Sequence, residues 1–309
     1  QTVTATWPSP TAWPVGTTTQ ARLGLGAALP RRTVTPTCGA STPVRPAAST
    51  ATGVCTQVSD WLPPPSTVSG PAVIGRLFPA AMVWGVYPEL GGEAQVEAAL
   101  GVLSTVDLTP LDTPDPELVY LFKHILTQQV AYESLLYAMR ARLHGEIGEY
   151  IEARYADRLE QFVPLLAHHY DRSENLLKRR EYLVKAGEAA QAAYDNMSAA
   201  DYYRRVLPLL DEDEFGRERV RVTFKLTQTL DRTSRFDEAT AAAQDGLAVA
   251  ARLNDAAGIA RMQRALGWLR WKLGDYAGAQ SAMEAARAAA EQVGDAELLA
   301  ANLLSLGDI

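Results

Sequence analysis

The chain has 309 residues, of which 47% are hydrophobic and 21% charged, with a formal net charge of −7; this is an ordinary composition for a chain that buries a core. The acidic balance argues against general affinity for nucleic acid or anionic lipid, both of which reward clustered Lys and Arg. The two cysteines, Cys38 and Cys55, have no His or second Cys at metal-ligand spacing, so neither a zinc site nor a disulfide framework is indicated, and no cofactor is implied.

In chain order, residues 1–59 contain no Asp, Glu, Lys, Asn, His, Ile, Phe, Tyr or Met and are crowded with Thr, Ala, Pro, Ser and Gly. Such a segment cannot bury enough apolar surface to offset its ordering entropy, which predicts a disordered Thr/Pro/Ala-rich stretch. Translation of a GC-rich region out of frame would produce the same restricted alphabet, and both readings stand. The N-terminus lacks the charged start and apolar core of a signal peptide, and no apolar run reaches the ~18 residues of a membrane span, so the chain reads as cytoplasmic. It starts at Gln1 without Met and stops inside a repeat, as expected of a fragment of a longer protein.

Globular patterning begins near Trp61. The stretch Gly70 to Phe78 predicts a short helical segment, and Glu93 to Val106 an amphipathic helix with Val96, Ala99, Leu100 and Leu103 on one face. A strand is expected at Asp107 to Leu111, a turn at Thr113 to Pro116 and a second strand at Glu117 to Phe122. Helices followed by a small hairpin form the order of a winged-helix-like unit, assigned to 60–140. The helix that would enter the DNA groove carries Glu93 and Glu97 and no Lys or Arg, and residues 60–123 hold only Arg76 and Lys123 as basic side chains, so phosphate contact would be repulsive.

From Lys123 onward the pattern is helical. Leu143, Ile147 and Ile151 mark one apolar face, and Leu159, Phe162, Val163, Leu166 and Tyr170 another. Self-similarity follows at a period of 40: Ala186, Leu226, Leu266 and Leu306, each followed by Gly187, Thr227, Gly267 and Gly307. Asn196, Phe236 and Tyr276 come ten residues after that leucine position, then Ala199, Ala239 and Ala279, then Tyr203, Ala243 and Met283, then Val206, Gly246 and Ala286. A small residue in the first helix admits a close second helix, an aromatic plugs the turn, and the alanine allows tight crossing. The expected fold is mainly α, a right-handed α-α superhelix of hairpins over 141–309.

These residues, most plainly Ala265-Leu266-Gly267-Trp268 with Lys272-Leu273-Gly274-Asp275-Tyr276-Ala277-Gly278-Ala279, resemble tetratricopeptide repeats, although the period is 40 rather than the family's 34. More widely, Val73 to Phe78, the run Phe122-Lys123-His124-Ile125-Leu126-Thr127-Gln128-Gln129-Val130-Ala131-Tyr132-Glu133-Ser134-Leu135-Leu136, and Leu166 to Tyr170 resemble the region after the ATPase module in bacterial multidomain adenylate/guanylate cyclase and AAA-type ATPase signalling proteins. That resemblance spans about 62–309. It implies a regulatory piece whose partners include the ATPase or cyclase domains of its own parent chain. The sequence has no G-x-x-x-x-G-K-[ST] loop with which to hold ATP in that family's manner, and nothing onto which a cyclase's metal-binding Asp pair could be carried.

Polar candidates are few. His168 and His169 are adjacent and point about 100° apart on a helix, so they form no chelate, and His144 cannot be assigned as a third ligand from sequence; one His is expected beside Tyr170 and the other in water. His124 with Glu133 or Asp157 lacks a nucleophile or glycine-rich loop, and His124 is expected to pack between helices. Lys178, Arg179, Arg180, Arg204, Arg205, Arg217, Arg219 and Arg221 are interleaved with Glu174, Glu181, Glu188, Asp211, Glu212, Asp213, Glu214 and Glu218, as on a salt-bridged surface. The expected activity is non-catalytic binding of a protein or peptide through Lys225, Gln228, Gln263, Arg264 and Arg270 on the first helices. A fragment of an ATP-binding cyclase and a transcriptional regulator with a helical sensor array are the alternatives.

Overall fold

The computed structural model describes residues 65–115, 117–294 and 296–307; the expectation for residues 1–59 lies outside them. The first elements are helix α1 (Pro65–Ile74), strand β1 (Leu77–Pro79), α2 (Ala80–Val86), α3 (Glu93–Thr105), β2 (Leu111–Thr113) and β3 (Val119–Leu121). The strands form one antiparallel sheet in the order β1-β3-β2, with Phe78 opposite Tyr120. Phe78 stacks on Tyr120 at 6.1 Å and meets Phe122 at 5.4 Å, and Val83, Leu100 and Phe122 close the same core without solvent exposure.

Two local expectations are corrected here. Leu77 and Phe78 do not continue a helix but open β1, because Gly75 at φ 153° takes a backbone that L side chains rarely adopt and ends α1. No strand starts at Asp107, whose φ of 62° makes it a turn; the strand begins at Leu111 instead. The helix expected at Glu93 to Val106 is present, with Val96, Leu100 and Leu103 buried.

α4 (Ile125–Glu133), α5 (Tyr137–Arg154) and α6 (Val163–Tyr170) follow, with a 3-10 segment at Ala156–Phe162 between the last two. Tyr170 lies over Gly148 so closely that a Cβ there would come within 2.6 Å of the ring. Its hydroxyl donates to Glu152 at 2.8 Å, as do Tyr182 at 2.5 Å and Lys178 Nζ at 2.7 Å. Burial alone would raise the Glu152 carboxyl, but hydrogen bonds from Lys178, Tyr182 and Tyr170 outweigh it and hold the group below its usual range. Asp171 likewise receives Arg179 at 2.9 Å and also Arg205, which ties α6 to the next two helices.

Those helices are paired: α7 (Leu176–Ala192) with α8 (Asn196–Val206), α9 (Glu212–Arg232) with α10 (Phe236–Arg252), and α11 (Ala256–Lys272) with α12 (Tyr276–Val293), followed by α13 (Ala296–Gly307). The period of 40 governs turns as well as helices. Tyr194, Ser234 and Gly274 all take positive φ between the members of a pair, and Asn254 and Gly294 do so between pairs. Asp195 and Asp275 then cap the following helix by accepting from Ser198 N and Gly278 N. The first pair departs from the pattern because Pro208 cannot continue α8; α9 gains an extra turn, and a kink at Phe215 (φ −121°, ψ 19°) restores the register from Gly216.

Within each pair the repeat positions meet as the pattern requires. Ala186, Leu226 and Leu266 are buried, and Ala199, Ala239 and Ala279 have no exposed surface. A Cβ on Gly187 would lie 2.5 Å from the Tyr203 ring, and one on Gly267 would lie 2.9 Å from Met283 Cγ. In the middle pair the matching residues are Thr227 and Ala243, both buried, so the bulk has changed sides. Leu306 and Gly307 fall in α13, and their side-chain surroundings lie outside the described residues. The aromatic expected to plug each turn does so only in part. Phe236 is half-buried with Lys272 Nζ 5.5 Å from its ring, whereas Tyr276 is 63% exposed.

Two alanine substitutions separate packing from backbone conformation. Gly187→Ala drives a methyl into the fully buried Tyr203 ring and should cost about 1–3 kcal/mol. Gly274→Ala meets nothing within 4 Å but keeps φ at 83°, and should cost about 1 kcal/mol. Urea unfolding of the two variants against the parent chain checks both values.

Candidate functional site

The first helices α7, α9 and α11 share one outward face. Lys225 and Arg232 on α9 lie two turns apart on it, and with Glu188, Gln191, Ala192 and Tyr194 they line an open groove of ≈ 520 Å³ between α7 and α9. The floor carries an ion pair, Lys225 to Glu188, and the rim carries Tyr194. One pair further on, Lys272 of α11 bonds Asp231 of α9 at 2.6 Å, a second bridge between neighbouring first helices, nearer their C-terminal ends. Between them, Trp268 and Trp271 stack with centroids 5.0 Å apart and planes at 22°, with Lys272 Nζ 5.5 Å from the Trp268 ring.

The five expected partner-binding residues are placed differently from one another. Lys225 lines the groove, and Gln228, one turn on, is half-buried on the same face. Arg264 is half-buried on the matching stripe of α11, one turn before Trp268. Gln263 matches the buried Thr223 of α9 by the period of 40 and so stands well around the helix from that stripe. Arg270 donates to Gly278 O at 3.1 Å and closes its own hairpin. Of the residues on this face that sequence reading passed over, Glu188 and Trp268 could have been found by stepping 40 residues from Gln228, whereas Tyr194, Arg232 and Trp271 are not reached from Lys225 or Gln228 by that step.

The basic cluster is dispersed in ion pairs, several with acids not expected to serve. Lys178 reaches Glu152, Arg179 and Arg205 reach Asp171, Arg204 reaches Glu238 at 2.8 Å, and Arg221 reaches Glu218 at 2.6 Å. Arg180 stacks over Phe215 at 3.8 Å. The two exposed pairs, Arg204–Glu238 and Arg221–Glu218, contribute about 0–1 kcal/mol each, whereas Glu152 and Asp171 are largely covered.

His124 is exposed at the start of α4 and does not pack between helices, because the preceding Phe122 takes the buried position. His169 is fully buried and His168 reaches solvent, and the fold brings His144 to both. His144 Nδ1 lies 2.9 Å from His169 Nδ1, and its Nε2 lies 3.1 Å from the Tyr132 hydroxyl. Only one of the facing Nδ1 atoms can carry a proton, so the pair fits two neutral rings of opposite tautomer. His169 Nε2 is buried without a partner. Among the described residues no group of three or more His, Cys, Asp or Glu is placed to hold a metal ion, and no helix is long and apolar enough to cross a membrane.

Burial, with His168, Arg172 and Arg140 adding to it, holds His144 down to about 3; burial, then His168, His144 and Arg172, holds His169 well below its usual value. Burial, followed by Arg172 and Arg205, lowers His168 to about 4, although its exposed edge leaves His144 and His169 as the main acid-sensitive pair.

No family model matches the sequence, and a search of the curated proteins finds no match. Among solved structures, the chain is similar to the apo form of RapI (16% identity, TM-score 0.44, covering 54% of this chain and 61% of that one). It is also similar to a Rap protein complexed with competence and sporulation factor (18% identity, TM-score 0.41, covering 73% and 58%). A third is BtubC (BKLC) from P. vanneervenii (15% identity, TM-score 0.42, covering 59% and 76%). The chain thus spans less than two thirds of either Rap chain.

The histidine cluster gives a pH prediction. Between pH 6.5 and about 3 the unfolded chain binds protons that the folded rings refuse, so stability is complete above 6.5 and falls as pH is lowered. Each such proton is worth about 1.4 kcal/mol per pH unit. Urea midpoints measured from pH 7.5 to 4.5 should fall for the parent chain and fall less steeply for His144→Gln.

Proposed function

We propose that this chain is a non-catalytic interaction module that binds a protein or peptide along the outward face of α7, α9 and α11. The observation that carries this reading is the groove between α7 and α9, bounded by Tyr194 and bridged by Lys225 and Glu188, with the Trp268–Trp271 stack on the neighbouring first helix α11. Aromatic rings beside fixed charges give a peptide both apolar area and orientation. Lys225, Gln228 and Arg264 are the residues of the expected set that act here. Binding works by holding the partner; the chain supplies no nucleophile or phosphate loop to it, and it acts in the cytoplasm.

The preceding segment, 60–140, is read as a winged-helix-like unit on its order of helices and strands, and the paired helices from 141 as the binding array. Its role is docking rather than DNA binding, since α3 offers Glu93 and Glu97 and no cation. The run Phe122 to Leu136, which carries the resemblance to cyclase and ATPase signalling proteins, presents Leu126 (70% exposed), Val130 (68%) and Leu136 (80%) to solvent. An apolar face of that kind supports contact with another domain of the same parent chain.

Peptides selected from a random display library on the full chain should lose affinity at least about ten-fold on Lys225→Glu and keep it on Glu284→Lys, which lies exposed on α12. Equal binding by both variants would place the site elsewhere. Equilibrium dialysis with ATP should show no specific uptake; saturable ATP binding would overturn the non-catalytic reading.

A further inference from the structure

Along the face of α7, α9 and α11, most cations are matched by a carboxylate. Lys185 pairs with Glu181, Lys225 with Glu188, Arg221 with Glu218 and Lys272 with Asp231. Arg232, Arg261 and Arg264 break that rule: among the described residues, none of them has a carboxylate within 4.0 Å. In a chain of net charge −7, an unpaired basic strip on one face is a local feature and not a consequence of composition.

Arg264 is the most informative of the three. It is half-buried, its Nε is shut off from solvent with no acceptor, and burial followed by the neighbouring Arg261 holds its pKa below the usual guanidinium value. A guanidinium held beside a like charge with a donor unused is a site short of an anion. The spacing 261, 264, 268, 271 keeps both arginines and both tryptophans within an arc of about 80° and a length of about 15 Å on α11. Two guanidiniums therefore stand one and two turns from a stacked aromatic surface.

We propose that α11 takes an acidic peptide: a carboxylate of the peptide on Arg261 and Arg264, and an aromatic or large aliphatic side chain against Trp268 and Trp271. This rests on the peptide-binding reading above and names its chemistry. Planar guanidinium matches planar carboxylate in a forked hydrogen bond. The interleaved acids Glu188 and Asp231 would repel a continuous phosphate backbone but leave room for a single carboxylate, which favours an acidic peptide over single-stranded nucleic acid.

The test uses the full 309-residue chain and three fluorescein-labelled probes read by anisotropy: the peptide Glu-Asp-Phe-Glu-Asp-Leu-Glu, its Gln/Asn counterpart, and an oligothymidylate of about ten nucleotides. The acidic peptide should bind more tightly than the amide peptide and weaken on raising salt. It should also lose about ten-fold in affinity on Arg264→Gln, on Arg261→Gln and on Trp271→Ala. Far-UV melting of each variant checks folding, and the exposed Arg261→Gln keeps the test decisive if Arg264→Gln melts early. Equal affinity for the acidic and amide peptides overturns this proposal and leaves the groove reading standing. Tighter binding of the oligothymidylate overturns it in favour of nucleic acid. If neither these peptides nor a display library yields a binder, the peptide-binding reading falls with it.

Discussion

Close approach of the two helices in each pair is the constraint from which the rest of the array follows. At each crossing at least one partner is small: glycine opposite tyrosine in the first pair, threonine matched with alanine in the second, glycine opposite methionine in the third. The fully buried Ala199, Ala239 and Ala279 bring the second helix down onto the first. Helices at that distance leave no room for a wandering connection, so the chain reverses through one residue of positive φ and an Asp or Arg at the cap. Tyr194 and Ser234 tolerate that conformation without being glycine, because the turn is held at both ends by packed helices.

The same logic reaches back from the array into the helices before it. Gly148 under the Tyr170 ring is another small-against-large crossing, this time between α5 and α6. Around it, Glu152 gathers Tyr170, Tyr182 and Lys178, and Asp171 gathers Arg179 and Arg205. Each carboxylate is satisfied by donors from more than one helix, so the polar contacts fix the angle that the apolar contacts merely permit. The neutral His144–His169 pair lies in the same region and trades acid tolerance for a buried nitrogen–nitrogen contact.

Because packing uses the inner sides of the pairs, the outward face of α7, α9 and α11 is free to vary. The stripe at positions 188, 228 and 268 shows this: Glu, Gln and Trp occupy one geometric place. Positions 186, 226 and 266, two residues earlier and turned inward, hold only Ala or Leu. Structure repeats at one set of positions, and recognition is written at the other.

The sequence by itself determined the helix pairs, their period and the identity of the crossing residues, because each depends on neighbours within one hairpin. It also exposed the helix at Glu93 and the buried alanines, where the apolar spacing is unambiguous. Strand β1 escaped notice, since three residues of apolar sequence look the same in a helix or a sheet until Gly75 is seen to break the backbone. The true acid partners of the basic cluster were hidden too, because Glu152 and Asp171 lie on helices that local spacing does not connect to it. Only the tertiary structure decided which cations are left unpaired, which histidine meets which, and that Arg270 closes its own hairpin on Gly278. Those outcomes depend on how one helix is rotated against the next, a quantity set by the packing of whole side chains and not by any periodicity along the chain.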